Sequence, residues 1–596
     1  MRRLLPSGII ILFSLALAPS SLAQTNAADE FTQLLADMDE DLLRLYPSVA
    51  VGRRDRRYLD RYEENLTPEF LPEVLRINDG HRQCLAAIDR AQLSEQDQIS
   101  YDMTAWTLAN RMRFTAPNIT DITQLLPLQH FNGRHTGFAR DMQWDSQYPF
   151  ETTDDYDRAM SRMRGFARWI DQAIGKMREG IEQGVTPPRF VVEHMIAQTD
   201  ELNVSDIDQS TFVSPIVNMP ETIGEPDRTR IAQSYRETVA NVVLSAYARL
   251  NEFFETEYLP AARTSVGLSA IPNGRDYYTA LARNYTTVEF SPEEIHAIGL
   301  AEIETITAGM EDVKQEVGFS GSLDEFKNFL RTDPQFKFAD EAAMMAEFER
   351  VTNIATENVS RLFSILPIAA LEIRFADPVV APTMAAGFYN SPTPDGARPG
   401  IFYVNSYDLP YRPTYTAEAL ELHEGIPGHH FQLATAIEND ALPNFRKFGG
   451  PSAFVEGWGL YAEGLGAELG LYSDPYQRFG RLSFDAWRAS RLVIDTGIHW
   501  LGWSREQGID YLLANTALTE TDAIAEVERY IAQPGQALAY KIGQRKFLEL
   551  RERAEGQLGD RFDIRNFHDE LLRDGAMQLP FLEAKMDRWI EEQMAG

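Results

Sequence analysis

The chain has 596 residues, of which 44% are hydrophobic, and its formal net charge is −33. This length allows one very large core or several smaller ones, and the composition is that of a soluble globular protein. Because nucleic-acid binding depends on basic surfaces that neutralise phosphates, the acidic charge argues against a nucleic-acid partner.

The first segment, MRRLLPSGIIILFSLALAPSSLAQ, predicts a secretory signal peptide over residues 1–23. Two arginines precede an apolar run, and Ser21-Leu22-Ala23 forms a small-x-small cleavage site. The run is too short for a comfortable membrane span, and no cysteine sits at the cleavage site to carry a lipid. We therefore expect an exported protein, periplasmic or secreted, with no stable membrane anchor.

Cys84 is the only cysteine of the sequence. An exported protein with one cysteine has no internal disulfide, and a lone thiol has no partner for redox chemistry. We expect Cys84 to be a small buried side chain.

Helical periodicity dominates residues 24–370, which we predict to form one helical region. Apolar residues recur at spacings of three and four in segments such as RAMSRMRGFARWIDQAIGKMREGIEQG. One helix start is explicit, because Ser291, Pro292 and Glu294 supply an N-cap, a first-turn proline and a capping-box carboxylate.

The pattern changes in residues 371–596. The short segments LEIRF, AGFYN and GIFYVN are separated by proline- and glycine-rich turns and predict a small antiparallel β-sheet. Helical periodicity then returns and continues to the C-terminus. We predict a mainly α-helical fold with a small sheet inserted between residues 24–370 and the later helices of residues 371–596.

The segment HEGIPGHH, residues 423–430, places three histidines around one glutamate. Imidazole and carboxylate are zinc ligands. On an unbroken helix, His429 would be rotated by about 120° from His423 and lie about 9 Å along the axis, while His430 would share its face about 10.5 Å away. The intervening Pro-Gly pair predicts a bend or bulge that removes this obstacle. The spacing leaves open which of the two histidines turns inward, and histidines at a helix end could instead cap carbonyls.

Further along the chain, FVEGWGLYAEGLG places Glu456 and Glu463 seven residues apart on one helical face among apolar and small residues. A carboxylate in such surroundings is costly unless it is paired or bound to a metal. Either glutamate could alternatively cap a helix or pair with an arginine.

Four segments resemble, in this order, the bacterial DUF885 family, which is grouped with the gluzincin-type zinc metallopeptidases: HEGIPGHH, FVEGWGLYAEG, RLVIDTGIHWLGWSREQ and VERYIAQPGQALAYKIGQRKFLELR. The resemblance covers most of the mature chain. It implies a two-lobed fold around a deep cleft, in which residues 24–370 cover the cleft and form one unit with residues 371–596. The segment FVEGWGLYAE is also similar to the stretch that carries a zinc-ligating glutamate in thimet-type oligopeptidases.

Carried over by position, this resemblance implies that His423, His429 and Glu456 hold one Zn²⁺ ion next to the small sheet. It also implies that Glu424 is the general base that accepts a proton from the attacking water. The histidine motif is two residues longer than HExxH, which is normal for the DUF885 pattern.

Amide hydrolysis builds an oxyanion, so a tyrosine or arginine is expected near the metal. The segment PGQALAYKIGQRKF offers Tyr540 for this catalytic role, and Lys541 and Arg545 as cations that bind a substrate carboxylate. The alternative for this segment is an amphipathic surface helix.

His430 and His499 are further candidates for substrate contact, although His499 could also be a core histidine. A zinc-bound histidine usually donates its second N–H to a carboxylate or carbonyl, for which Glu421 and Asp495 are possible partners. The segment GIFYVNSY, with Tyr403, is predicted to form an edge strand to which an extended peptide substrate could add. The alternative is that the strands only support the helices.

Together these features predict an exported zinc metallopeptidase that hydrolyses oligopeptides. A zinc hydrolase acting on a non-peptide amide or ester is one alternative, and a non-catalytic peptide-binding protein with the same fold is another. Carboxypeptidase, dipeptidase and endo-oligopeptidase modes are all compatible with the sequence, as is any oligomeric state.

Overall fold

The computed structural model describes residues 26–376, 381, 385–394, 396 and 398–595. The signal peptide predicted over residues 1–23 lies outside these residues. Across the described ranges, no helix combines the length and the apolar character needed to cross a membrane.

Helices make up almost all of the regular structure before residue 370. These are α1 (Ala27–Leu45), α2 (Pro47–Gly52), α3 (Phe70–Ala87), α4 (Glu95–Phe114), α5 (Pro117–Leu125), α6 (Arg134–Asp141), α7 (Thr153–Gln183), α8 (Arg189–Leu202), α9 (Ser214–Val217), α10 (Glu225–Thr238), α11 (Ser245–Phe253), α12 (Leu259–Ala261), α13 (Gly274–Thr286), α14 (Pro292–Glu316), α15 (Leu323–Thr332) and α16 (Glu341–Asn358).

Three strands follow, and helices then continue to the C-terminus. These are β1 (Leu371–Phe375), β2 (Gly387–Asn390), β3 (Gly400–Val404), α17 (Ala417–Glu424), α18 (His429–Glu438), α19 (Asn444–Lys447), α20 (Ser452–Glu463), α21 (Pro475–Thr496), α22 (Arg505–Asn515), α23 (Glu520–Ala532), α24 (Ala539–Leu558), α25 (Ile564–Leu572) and α26 (Leu579–Ala595). The prediction of a mainly α-helical protein is confirmed.

The start of α14 shows how local sequence sets a helix boundary. The hydroxyl of Ser291 accepts from the backbone N–H of Glu294, and the Glu294 carboxylate accepts from the backbone N–H of Ser291. Pro292 occupies the first turn, where its missing N–H leaves no partner unsatisfied. The capping box predicted from the sequence is therefore confirmed.

The largest hydrophobic core joins the two predicted regions. It includes Leu281 of α13 together with Trp458 of α20 and Ile542 of α24. Burying one such side chain stabilises the fold by about 1.5–3 kcal/mol. Because both sides of residue 370 contribute to one core, the helices before the sheet and the helices after it support each other.

The small sheet differs from the prediction in its topology. Its strand order is β1-β3-β2, with β3 parallel to β1 and antiparallel to β2. The sheet is therefore mixed rather than antiparallel. β3 is the central strand, so the prediction that it forms an edge open to a peptide substrate is wrong. Tyr403 is already paired with Arg374 of β1 on one side and with Phe388 of β2 on the other.

The environment of Cys84 also differs from the prediction. Cys84 lies on α3 and is exposed rather than buried. The buried face of this part of the helix is formed by His81 and Leu85 instead.

A candidate metal centre

The helix that carries His423 ends before His429, so the helix between these two histidines is broken rather than bent. α17 ends at Glu424 and α18 begins at His429. Gly428 approaches the end of α17 so closely that a Cβ atom there would lie 2.0 Å from the carbonyl oxygen of His423. The indole of Trp458 donates a hydrogen bond of 2.9 Å to the carbonyl of Pro427 and ties the break to α20. Each histidine therefore comes from its own helix, and the spacing on a straight helix does not apply.

The side chains of His423, His429 and Glu456 converge. Their potential metal-binding atoms all lie within 4.8 Å of one another. Oε2 of Glu456 is 3.7 Å from Nε2 of His423 and 3.4 Å from Nε2 of His429. Ligand atoms around a tetrahedral zinc ion are about 3.4 Å apart, so these separations fit one ion. We call these three residues the ligand group.

Glu463 fixes the orientation of the first imidazole. Its Oε1 lies 2.8 Å from Nδ1 of His423. An ionised carboxylate only accepts hydrogen bonds, so Nδ1 carries the hydrogen and, in the neutral ring, Nε2 keeps its lone pair. This is the tautomer that a metal ligand needs, and a carboxylate partner of this kind is common in metal sites.

The electrostatics of the ligand group favour a cation beside Glu456. Burial opposes protonation of His423, but its hydrogen bonds with Glu456 and Glu463 outweigh burial and raise its pKa to about 10. Burial also opposes ionisation of Glu456, yet the two histidines hold its pKa well below the usual range. A divalent cation bound to neutral imidazoles would supply the positive charge that a proton supplies in its absence.

A glycine makes room for the imidazole of His423 on α20. A Cβ atom at Gly459 would lie 2.7–3.0 Å from three atoms of this ring. Glycines also allow the close packing of α20 on α24, because a Cβ atom at Gly457 would lie 2.5 Å from the Cα atom of Gly543. The glycine-rich segment GWG therefore sets the distance between the ligand helix and its neighbours.

Glu424 follows the first ligand at the end of α17 and is 8% exposed. Its negative charge contributes to the raised pKa of His423. Among the described residues, no hydrogen bond or ion pair engages its carboxylate. This carboxylate is therefore available to accept a proton.

His430 points away from the ligand group. Its Nδ1 lies 2.9 Å from the hydroxyl of Tyr389 on β2, and burial lowers its pKa to about 4. The two adjacent histidines therefore have different neighbours: His429 faces Glu456, and His430 packs against Tyr389 of the sheet. A contact of His430 with substrate stays a prediction.

Tyr540 is the second residue of α24 and is nearly buried. Its hydroxyl accepts a hydrogen bond of 3.2 Å from Nη2 of Arg529, and the guanidinium of Arg491 lies 4.3 Å from the centre of its ring. In the described part of the chain, no hydrogen bond or ring contact joins Tyr540 to the ligand group.

Lys541 and Arg545 have other partners than the expected substrate carboxylate. Nζ of Lys541 is buried and lies 2.7 Å from Asp485 and 3.0 Å from Glu302. Arg545 is exposed on the same helix and pairs with Glu302 as well. Both cations are already paired with acids of the fold, and their role in binding a substrate carboxylate stays a prediction.

His499 is a core histidine, which is the alternative to substrate contact. Its Nδ1 accepts from the backbone N–H of Leu268 at 3.1 Å, and its Nε2 donates to the carbonyl of Tyr530 at 3.0 Å. The ring is fully buried, and burial lowers its pKa to about 3.

The two carboxylates proposed as partners of a zinc-bound histidine lie elsewhere. Asp495 accepts from the hydroxyl of Tyr278 at 2.5 Å, and Glu421 accepts from the hydroxyl of Thr352 at 2.9 Å. Burial raises the pKa of Asp495 to about 7 and that of Glu421 to about 8. The hydrogen-bond partner of His423 is instead Glu463. The sequence indicated Glu463 as a carboxylate on an apolar, glycine-rich helical face.

Sequence reasoning missed a second set of convergent side chains, namely His130, His194 and Glu528. His194 Nε2 lies 3.0 Å from Glu528, but Arg505 donates two hydrogen bonds of 2.7 and 2.9 Å to the same carboxylate. This guanidinium already neutralises Glu528, so the set resembles an ion-pair cluster more than a metal site.

A cavity of about 590 Å³ lies among α1, α3 and α4, and no member of the ligand group lines it.

The fold and the ligand group define a large, mainly helical protein with a candidate centre of two histidines and one glutamate. Residues 47–586 match the family described as "Bacterial protein of unknown function (DUF885)", so the chain belongs to this family. No curated protein matches the chain.

Two solved structures share the fold. One is described as "the putative lipoprotein from Colwellia psychrerythraea"; it is 28% identical, the match covers 95% of this chain and 100% of that one, and the TM-score is 0.86. The other is described as "a putative lipoprotein of unknown function from Shewanella oneidensis", with 17% identity, coverage of 93% and 99%, and a TM-score of 0.73.

Proposed function

We propose that the protein is an exported, zinc-dependent peptidase that hydrolyses oligopeptides. The observation that carries this proposal is the convergence of His423, His429 and Glu456 within 4.8 Å, next to a glutamate without a bonding partner among the described residues. This donor set is the one found in several catalytic zinc sites. A bound Zn²⁺ ion would polarise the scissile carbonyl and lower the pKa of a water molecule.

The chain supplies the remaining groups. Glu424 accepts the proton of the attacking water and passes it to the leaving amine. Glu463 keeps the ring of His423 in the tautomer that binds metal. The hydroxyl of Tyr540 accepts from Arg529, so its own hydrogen is free to be donated to a developing oxyanion.

The proposal of export rests on the signal-like segment of residues 1–23 and on the relatives. The proteins from Colwellia psychrerythraea and Shewanella oneidensis are each described as a "putative lipoprotein", and lipoproteins are an exported class. We therefore propose that this chain is exported as well.

The test begins with the purified mature protein, its metal content and a peptide library analysed by mass spectrometry. We expect one equivalent of zinc and cleavage of short peptides. Glu424→Gln should slow cleavage by at least about 100-fold with unchanged zinc content, because it removes a general base. Glu349→Gln, which changes an exposed glutamate of α16, is the matched control and should cleave normally.

Two results would overturn this proposal. Zinc-loaded protein that cleaves no peptide but hydrolyses a non-peptide amide or ester would support the alternative hydrolase. Protein that binds peptides without zinc and without turnover would support the binding protein. Equal cleavage by Glu424→Gln would remove Glu424 from the mechanism.

A further inference from the structure

Arginine side chains from two helices lie around Tyr540, and two of them contact it directly. Arg488 and Arg491 lie one turn apart on α21, and Arg529 lies on α23. Arg491 covers the ring of Tyr540, and Arg529 donates to its hydroxyl. Arg488 interacts electrostatically with both Arg491 and Tyr540. We call Arg488, Arg491 and Arg529 the arginine cluster.

The cluster carries more positive charge than its surroundings neutralise. Glu526 lies 2.9 Å from Arg491 and 3.5 Å from Arg529, so one carboxylate serves two guanidinium groups. Arg488 has only Glu463 in ion-pair range among the described residues, at 3.9 Å, and that carboxylate already accepts from a histidine. Buried charges without full compensation are costly, so the cluster favours an additional anion.

Several N–H groups of the cluster have no acceptor among the described residues. These buried atoms are Nε and Nη1 of Arg488, Nη1 of Arg491 and Nε of Arg529. Arg488 and Arg491 are only 5% and 2% exposed, so bulk water does not satisfy them freely. The planar guanidinium fork matches a carboxylate, which can accept two hydrogen bonds from one arginine.

The cluster lies next to the ligand group. Oε1 of Glu463 is 2.8 Å from Nδ1 of His423 and 3.9 Å from Nη2 of Arg488, so this carboxylate lies between the first ligand and the cluster. On the opposite side, the guanidinium of Arg529 lies 5.3 Å from the ring centre of Phe131, which is 40% exposed. The cluster therefore extends from the candidate metal centre towards the surface.

We propose that the arginine cluster, with Tyr540, binds a carboxylate of the peptide substrate, and this inference rests on the peptidase function proposed above. The carboxylate comes from the C-terminus of the peptide or from an acidic side chain. The cations Lys541 and Arg545 do not compete for this role, because each is already paired with an acid.

Binding can be measured without turnover by using zinc-loaded Glu424→Gln protein and calorimetry. The probes are N-acetyl-tetra-alanine with a free C-terminal carboxylate, the same peptide as its C-terminal amide, and the amide with one glutamate in place of an alanine. We expect the free acid to bind at least about tenfold more tightly than the alanine amide, because charge-assisted hydrogen bonds are lost in the amide. If the glutamate amide matches the free acid, the cluster also accepts a side-chain carboxylate; if it binds as weakly as the alanine amide, the cluster accepts only the C-terminal carboxylate. Tight binding of the glutamate amide alone would make the acidic side chain the source.

Substitution then assigns the preference to the cluster. In the same background, Arg529→Gln and Arg488→Gln should each reduce the preference for the free acid several-fold. Arg478→Gln, which removes an arginine at the other end of α21, is the matched control and should preserve it. The comparison of acid and amide on the parent protein does not depend on whether these variants fold.

Equal binding of all three probes would overturn the inference, as would a preference that survives both cluster substitutions. These results are separable from the fate of the proposed function. If wild-type protein cleaves free acids and amides equally, the proposed peptidase function stands and the carboxylate-binding role of the cluster is wrong. If the protein prefers the free acid but cleaves no peptide, the carboxylate-binding role of the cluster stands and the proposed peptidase function is wrong.

Discussion

The imidazole of His423 lies between two carboxylates of one helix, with Glu463 2.8 Å from its Nδ1 and Glu456 3.7 Å from its Nε2. Seven residues of α-helix rise about 10.5 Å over two turns, which is about the span of an imidazole with a carboxylate at each end. Gly459 lies between the two glutamates on α20, where any side chain would meet the ring. A single helix therefore supplies one ligand, the partner of another ligand and the space that this ligand occupies.

We predict that Glu463→Gln weakens zinc binding by about 10- to 100-fold, because the carboxylate partner of a ligating histidine raises the basicity of the ring. The amide can still accept from Nδ1 but carries no charge. Competition with a chromophoric chelator measures the affinity. Glu468→Gln, which changes a glutamate that pairs with Arg551 at the surface, is the control. Unchanged zinc affinity in Glu463→Gln would show that its charge does not tune the centre.

Gly459→Ala should displace the ring of His423, because its Cβ atom would lie 2.7–3.0 Å from the ring and the helix backbone cannot give way. We expect zinc binding to fall by at least about tenfold, since a misplaced first ligand leaves the site with two donors. Zinc affinity and peptide cleavage should decline together. Gly464→Ala is the control on the same segment, because its Cβ atom would meet no atom closer than 3.8 Å. Normal zinc binding by Gly459→Ala would contradict the close fit.

Gly543→Ala should destabilise the whole protein rather than the metal centre alone. A Cβ atom there would lie 1.8 Å from the carbonyl oxygen of Ala453 and would push α24 away from α20. Overpacking of this kind costs about 1–3 kcal/mol. The midpoint of thermal unfolding should therefore fall. Gly556→Ala, on the same helix with no atom within 4 Å, should instead raise it slightly, because alanine favours the helix.

The ligand group could be predicted because its evidence is local. The order of His423, Glu424 and the Pro-Gly pair lies within eight residues, and Glu456 falls in a recognisable segment. The choice of His429 over His430 could not be derived from spacing, because it depends on how far the helix breaks. That break is fixed by contacts from a different helix, including the indole of Trp458.

The features that the sequence does not reveal depend on contacts between distant parts of the chain. β3 becomes central because it pairs with β1 on the side opposite β2, and strand order is not encoded in the strand itself. Lys541 looked available because its partners, Asp485 and Glu302, lie 56 and 239 positions away in the numbering. The arginine cluster is not visible in the sequence for the same reason, since Arg529 lies on a different helix from Arg488 and Arg491, 38 positions after Arg491.

Buried His499 should make the protein less stable as the pH falls. Its pKa is lowered from 6.5 to about 3 by burial, so below pH 6.5 the unfolded chain binds a proton that the folded chain refuses. The stability it contributes is thus present above pH 6.5 and lost as the pH falls towards 3. The slope approaches about 1.4 kcal/mol per pH unit below pH 6.5.

His499→Gln isolates this effect, because glutamine can accept from Leu268 and donate to Tyr530 but does not titrate. The difference in unfolding free energy between wild type and variant, followed from pH 7 to pH 5, should shift in favour of the variant. His194→Gln is a control of opposite sign. The hydrogen bond with Glu528 raises the pKa of His194, so its contribution is present at low pH and lost as the pH rises. A difference that does not change with pH for His499→Gln would mean that the ring is protonated in its buried site.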